Sequence, residues 1–265
     1  MSRIEAALRN VGAKGEKGLI AYVMAGDPNL EESAKIILEI ERGGADLIEI
    51  GIPFSDPIAD GPTIQKASER ALQQGVHVRN VLDLVLDLRR QTKIPLILMS
   101  YCNPIYVFGI KRFFKEAKRV GVDGLIIPDL PPEEARDFIL QSRKTGVDLI
   151  FLAAPTTPQE RLEKIIKVVT GFLYYVPLTG VTGSELRGKE AIGERIRRIK
   201  LLTEKPVAVG FGISKPEEAR EIGSEADAVI VGSALVRIIE TASKDPAYLT
   251  SLSTFVASLK QALLS

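Results

Sequence analysis

The chain has 265 residues, of which 45% are apolar and 26% charged, a composition typical of folded globular proteins. Thirty-five Lys and Arg residues against 34 Asp and Glu residues leave a net charge of +1, which argues against a nucleic-acid-binding or membrane-surface protein. The single cysteine, Cys102, excludes an intramolecular disulfide and a cysteine zinc cluster, and the single histidine, His77, excludes a His-rich metal site and argues against histidine-based catalysis. Acid and base chemistry is therefore expected from carboxylates, tyrosine or lysine.

The first ten residues mix charged and apolar side chains without the apolar core of a signal peptide. No stretch of 18 uncharged apolar residues follows. These two observations predict a cytoplasmic protein, or one of the equivalent plastid stroma, with no membrane partner.

Short apolar runs alternate with longer amphipathic segments along the chain. The runs are four to six residues long and bounded by Gly, Pro or Asp, which is typical of strands covered on both faces. They are Leu19–Met24, Asp46–Ile50, Pro95–Ser100, Gly124–Ile127, Asp148–Leu152, Phe172–Val176, Pro206–Val209 and Ala228–Val231. Helix starts are predicted at Pro132, Pro158 and Pro216, where proline precedes paired polar residues.

Eight such strand and helix pairs predict an α/β fold of the (β/α)8 TIM-barrel type, with residues 1–265 forming one domain. An extra helix at Ser2–Val11 would cover the bottom of the barrel, and Ala247–Leu264 would be the last outer helix. The alternative is a doubly wound open sheet. The number of units and the absence of a GxGxxG motif after the first strand favour the barrel.

In a TIM barrel the active site lies in the loops after the strands, so these loops hold the candidate residues. Glu49 lies inside an apolar strand, where an ionised carboxylate needs a partner or a raised pKa, and it either points into the barrel or pairs outward with a helix lysine. Asp60 precedes Gly61-Pro62, so it is either a second functional acid or a turn former.

Glycines with small hydroxyl residues follow the last three predicted strands, at 178–185, 210–215 and 232–235. Glycine lets backbone N–H groups approach an anion, and a helix beginning at Ser233 would direct its positive end to the same point. Three such loops in succession favour a phosphate site over ordinary turns.

Apolar and aromatic residues at other strand ends predict a flat hydrophobic pocket between the acids and the phosphate site. The residues are Tyr22, Met99, Ile126, Leu152, Tyr174 and Phe211. Singly, each is as easily explained as part of the core.

The run Asp46–Gln65, DLIEIGIPFSDPIADGPTIQ, resembles the signature of the tryptophan synthase alpha subunit family, and the glycine loops resemble its phosphate loops. The resemblance covers nearly the whole chain. It implies a TIM-barrel lyase of tryptophan biosynthesis that cleaves indole-3-glycerol phosphate to indole and glyceraldehyde 3-phosphate.

By this resemblance Glu49 is implied as the proton-transfer catalyst, Asp60 as the group that binds the indole N–H, and Tyr174 as an auxiliary catalytic residue. Phosphate contacts are implied for Gly183, Gly212, Gly232 and Ser233. The other strand-end residues would line the indole pocket. No metal and no cofactor is expected in this chain.

The resemblance also implies a partner, the beta subunit, which would carry pyridoxal phosphate and form an alpha2beta2 heterotetramer. The expected contact surface includes Pro53–Asp60, and a loop at Thr179–Lys189 would close over the substrate. Pro177 departs from the serine common in relatives, and because proline fixes φ it changes the backbone that leads into this loop. Two alternatives stay open: another phosphate-binding barrel enzyme, and a non-catalytic phosphate-binding subunit.

Overall fold

The computed structural model describes residues 1–177, 185–210, 212–241, 245 and 247–264, without the side chains of 185–191. These residues contain nine parallel strands in one sheet, in the order β5-β4-β3-β2-β1-β9-β8-β7-β6. The strands are β1 Gly18–Met24, β2 Leu47–Gly51, β3 Leu96–Met99, β4 Gly124–Ile126, β5 Asp148–Ile150, β6 Leu152–Ala153, β7 Leu173–Tyr175, β8 Val207–Gly210 and β9 Ala228–Val231.

The two ends of the sheet are consecutive pieces of one predicted strand. Asp148–Leu152 is divided at Phe151 into β5, which pairs with β4, and β6, which pairs with β7. The Phe151 carbonyl accepts a hydrogen bond of 3.1 Å from the Tyr174 N–H, so the chain passes from one end of the sheet to the other. The sheet is therefore a nearly closed barrel, which confirms the predicted TIM-barrel fold and excludes the open sheet.

Helices follow the strands around the outside. They are α1 Arg3–Gly12, α2 Leu30–Arg42, α3 Pro62–Gln73, α4 Val78–Leu88, α5 Cys102–Phe108, α6 Ile110–Val120, α7 Arg136–Thr145, α8 Gln159–Val168, α9 Glu185–Lys200, α10 Pro216–Gly223, α11 Ser233–Glu240 and α12 Tyr248–Ala262. The predicted start at Pro132 was wrong, because residues 132–134 form a turn and α7 begins at Arg136. None of the helices described is long and apolar enough to cross a bilayer.

Alternate residues of each strand face the barrel interior and the helix layer. On β2, Leu47 lies in the inner apolar cluster, whereas Ile48 and Ile50 belong to the outer core under the helices. Successive side chains on a strand point to opposite faces, so Glu49 points inward, one layer above Leu47.

Helix α1 closes the bottom of the barrel, as predicted for an extra N-terminal helix. Ser2 accepts the first-turn N–H of Glu5 at 3.3 Å and begins the helix. Ile4 and Leu8 of α1 are at most 3% exposed and pack into the inner cluster formed by the strands. The interior is therefore filled from below, and only its upper end can admit a ligand.

An ion pair joins the lower ends of β3 and β4. The Arg89 guanidinium donates to Asp123 at 2.5 Å and to the carbonyls of Ile94 and Gly121 at 2.6 and 2.8 Å. Asp123 also accepts the Leu96 N–H at 2.9 Å. Both side chains are largely buried, with exposed fractions of 13% and 8%. Without Arg89, the half-exposed Arg3, 3.2 Å from Asp123, would be the remaining cation that pairs with this carboxylate among the described residues.

Arg89→Ala is expected to lower the free energy of unfolding by about 3 kcal/mol, the lower end of the usual cost of removing one partner of a buried ion pair, because Arg3 still pairs with Asp123. Arg90→Ala is the matched control, because the side chain of the neighbouring Arg90 is 74% exposed and its ion pair among the described residues is with Asp87, near the end of α4. Its cost should stay within about 0.5 kcal/mol. Urea unfolding of both variants measures the difference, and equal losses would contradict a structural role for the Arg89–Asp123 pair.

Candidate active site

The upper end of the barrel holds a carboxyl group without a hydrogen-bond partner. Glu49 is 1% exposed, and neither of its carboxylate oxygens has a partner among the described residues. Burial, and secondly the charge of Asp60, raise the pKa of Glu49 from 4.5 to about 8. Glu49 therefore carries a proton at neutral pH and can give it to a ligand above it.

Asp60 lies on the loop between β2 and α3 and accepts a hydrogen bond from the Tyr101 hydroxyl at 3.0 Å. Burial raises the pKa of Asp60 to about 6, and the Tyr101 hydrogen bond opposes that rise. Two carboxyl groups thus meet at one site with pKa values that differ by about two units. Between pH 6 and pH 8 Glu49 is the acid and Asp60 is the anion, which is how enzymes divide acid and anion roles.

Tyr22 and Tyr174 lie beside both acids. Tyr22 of β1 is in register with Glu49, and Tyr174 of β7 is two residues beyond the inward-facing Phe172. Burial, and then the charges of Glu49 and Asp60, raise the pKa of both phenols well above 10. Both tyrosines are consequently neutral hydrogen-bond donors at the site.

Two glycines make room for these hydroxyl groups. A Cβ atom on Gly210 would come within 2.7 Å of the Tyr174 hydroxyl, and a Cβ on Gly51 would overlap the Tyr22 hydroxyl. Each glycine ends the strand beside the one that carries the tyrosine. Any side chain at either position would move a phenol that lies near the acids.

The loop that carries Asp60 is fixed at both ends. The Ser68 hydroxyl accepts the Phe54 N–H and donates to the Phe54 carbonyl, each at 2.9 Å. The Gln65 amide donates to the Asp60 carbonyl at 2.8 Å, and α3 begins at Pro62 directly after the loop. These contacts hold Asp60 at the barrel mouth although it is eleven residues from Glu49 in the chain.

Three of the predicted phosphate-binding residues are among those that the structure describes, and they follow the adjacent strands β8 and β9. Gly212 follows β8 with φ +56°, a conformation that favours glycine, and Gly232 precedes α11, whose first residue is Ser233. The N–H groups of the first turn of α11 open toward this edge of the barrel. Gly183 lies outside the described residues, as does most of the predicted closing loop Thr179–Lys189.

The predicted pocket residues divide by depth. Met99 and Leu152 are half-buried and pack on top of the inner cluster, together with Tyr174, whereas Ile126 is fully buried inside that cluster. Tyr22 is 5% exposed, and Phe211 lies outside the described residues. The upper surface of the cluster is therefore an apolar floor next to the acids.

Sequence reasoning missed Tyr101, which binds the candidate acid Asp60. The residue directly follows β3 and Ser100, so it belongs to one of the eight strand-end stretches where site residues were expected. Its position at a strand end was the available signal. Its partner could not be identified, because the two residues are 41 positions apart in the chain.

Glu49 should make stability depend on pH. Its folded pKa of about 8 exceeds the unfolded value of about 4.5, so its contribution is complete below pH 4.5 and is lost as pH rises through 8. The difference in free energy of unfolding, wild type minus Glu49→Gln, should fall by roughly 4 kcal/mol between pH 5 and pH 9.

Denaturant titrations at several pH values measure this difference, and Glu69→Gln is the control because Glu69 is an exposed carboxylate on α3. A difference for Glu49→Gln that stays constant with pH would show that this carboxyl titrates normally in the folded chain.

Comparisons with known proteins agree with this architecture. The family described as Tryptophan synthase alpha chain matches residues 8–263. A tryptophan synthase alpha chain of Geotalea uraniireducens is 47% identical over 98% of this chain and 97% of its own length, and one of Carboxydothermus hydrogenoformans is 50% identical over 91% and 90%. The crystal structure of tryptophan synthase subunit alpha from Legionella pneumophila superposes with a TM-score of 0.91 at 40% identity, covering 99% of this chain and 98% of that one. The chain belongs to the tryptophan synthase alpha chain family.

Proposed function

We propose that this chain is a carbon–carbon lyase that cleaves indole-3-glycerol phosphate to indole and glyceraldehyde 3-phosphate in tryptophan biosynthesis. Family membership supports the reaction. The observation at the site that carries the proposal is the pair of acids at the barrel mouth: Glu49 has no hydrogen-bond partner among the described residues and is protonated at neutral pH, while Asp60 is ionised. A retro-aldol cleavage of this substrate needs one proton donor and one anion.

Glu49 transfers the protons. It delivers its proton to C3 of the indole, which turns the ring into an indolenine-like cation and weakens the bond from C3 to the glycerol chain. As that bond breaks, its electrons return to the ring, and the adjacent hydroxyl loses a proton to form the aldehyde. Glu49 receives this proton and is restored, so the two products contain all the atoms of the substrate.

Asp60 stabilises the cation. Its carboxylate accepts the hydrogen bond of the indole N–H, where positive charge develops after C3 is protonated. Tyr174 assists next to both acids as a neutral donor. The apolar floor formed by Tyr22, Met99 and Leu152, with Ile126 beneath it, holds the ring, and Phe211, outside the described residues, is proposed as a further pocket residue.

The phosphate binds at the edge formed by the last two strands. Gly212 and Gly232 let backbone N–H groups approach the anion, and Ser233 begins the helix whose positive end faces it. Gly183 adds a contact from the loop after β7. Binding energy from this non-reacting end positions the scissile bond against Glu49.

The partner is a tryptophan synthase beta subunit, in an alpha2beta2 heterotetramer, and pyridoxal phosphate belongs to that subunit. Support comes from apolar side chains that are exposed beside the barrel mouth. Their exposure to water does not stabilise a monomer, but a partner could bury them. Ile58 on the Asp60 loop is 82% exposed, and Tyr106 and Val107 on α5 are 70% and 77% exposed. We place the complex in the cytoplasm and treat residues 1–265 as one barrel domain.

Indole release from indole-3-glycerol phosphate, measured with the chain alone and with a beta subunit, tests the reaction. The lyase is expected to produce indole and glyceraldehyde 3-phosphate in equal amounts. Another phosphate-binding barrel enzyme would bind phosphorylated ligands without releasing indole. A non-catalytic subunit would release no indole by itself, and its effect would be a change in the activity of its partner.

Glu49→Gln is expected to lower turnover by about 10²-fold or more, because the amide cannot deliver or receive the proton. Affinity for a phosphate-bearing ligand should stay within a few-fold, since that end of the site is unchanged. Steady-state kinetics and ligand titration check the two parts separately. Near-normal turnover of the variant would remove Glu49 from this role.

A further inference from the structure

The Tyr101 hydroxyl is bonded on two sides at the barrel mouth. It donates to one carboxylate oxygen of Asp60, Oδ2, at 3.0 Å, and it accepts the Ala59 N–H, also at 3.0 Å. The ring of Tyr101 is 3% exposed and packs against Phe54, with 5.4 Å between the ring centroids. The phenol is therefore fixed by its ring, and it binds two successive residues of the loop.

This arrangement leaves one oxygen of Asp60 without a described partner. Oδ2 is occupied by the phenol, and the other oxygen, Oδ1, has no hydrogen bond among the described residues. A carboxylate on a loop can rotate about χ1 and χ2, and the hydrogen bond from a rigid phenol removes that freedom. Oδ1 is then the Asp60 oxygen whose acceptor sites no described residue uses, and it is free to accept an N–H from a ligand.

We propose that Tyr101 is a positioning residue for the cleavage reaction, which orients Asp60 and keeps it ionised so that Oδ1 accepts the indole N–H. The inference rests on the proposed function, because it assigns Tyr101 a role through Asp60 in that reaction. Tyr101 does not itself touch the reacting atoms. It acts as the second hydrogen-bond partner that holds a catalytic carboxylate in one orientation.

The charge state of Asp60 depends on the groups around it. Glu49 on β2, Tyr22 on β1 and Tyr174 on β7 face the same space, and Asp129 lies near Tyr101. Burial raises the pKa of Asp60, and the Tyr101 hydrogen bond lowers it. Without the hydroxyl, Asp60 would hold its proton to a higher pH.

The test is the pH dependence of turnover for Tyr101→Phe, which keeps the ring and removes the hydroxyl. Activity of the wild type should rise with pH as Asp60 ionises near pH 6. We call this rise the acid limb of the pH profile. In Tyr101→Phe the acid limb should shift by about one pH unit toward higher pH, the size expected for the loss of one hydrogen bond to a charged group. Turnover should be about tenfold below wild type at pH 5.5 and within about threefold at pH 7.5.

Tyr248→Phe is the matched control. Tyr248 also donates its hydroxyl to a carboxylate, that of Glu32, and it is buried, but it lies on the outer helix α12. Its removal should leave the acid limb where the wild type has it. The substrate phosphate titrates in the same pH range, but equally in all three proteins, so it cancels from the comparison.

A second replacement tests the proposal even if Tyr101→Phe folds poorly. Site-specific 3-fluorotyrosine at position 101 keeps the shape and makes the phenol a stronger donor, so the acid limb should move the opposite way. Unshifted limbs in both variants, or a uniform loss of turnover at every pH, would overturn the inference while leaving the lyase reaction standing. An inactive wild type would instead contradict the proposed function.

Discussion

Placing Glu49 inside an apolar barrel determines the chemistry available at the mouth. Strand alternation turns its side chain inward, and the layer beneath it is apolar and sealed by α1. Water therefore cannot stabilise the ionised form, and no described group donates a hydrogen bond to it. The result is a neutral acid at physiological pH, obtained by burial and by the nearby Asp60 charge.

Asp60 stays ionised nearby because its surroundings are different. It lies on a loop at the edge of the mouth and accepts a hydrogen bond from a phenol, which partly offsets the cost of burial. Two similar side chains thus acquire different protonation states. Ser68 and Gln65 hold the loop, so the ionised carboxylate stays at the barrel mouth near Glu49 instead of moving into the solvent.

The barrel could be predicted from the sequence because its strands are apolar on both faces and bounded by turn residues, a pattern carried by each segment separately. Glu49 could be predicted as a candidate because a carboxylate in such a strand is costly. The break at Phe151 could not, because closure of the sheet determines it. Tyr101 was missed because its function depends on a partner brought near only by folding.

The N-terminal helix has a consequence for how the chain folds. A Cβ atom on Gly18 of β1 would come within 2.8 Å of Leu8, and one on Gly124 of β4 within 2.7 Å of Ile4, so both glycines leave room for α1. Leu8 also shares the inner cluster with Ala228 of β9. Helix α1 thus packs against strands that come first, midway and last along the chain. Its complete set of contacts exists only once β9 has joined the sheet, so the N-terminal helix and the last strand depend on each other for their packing.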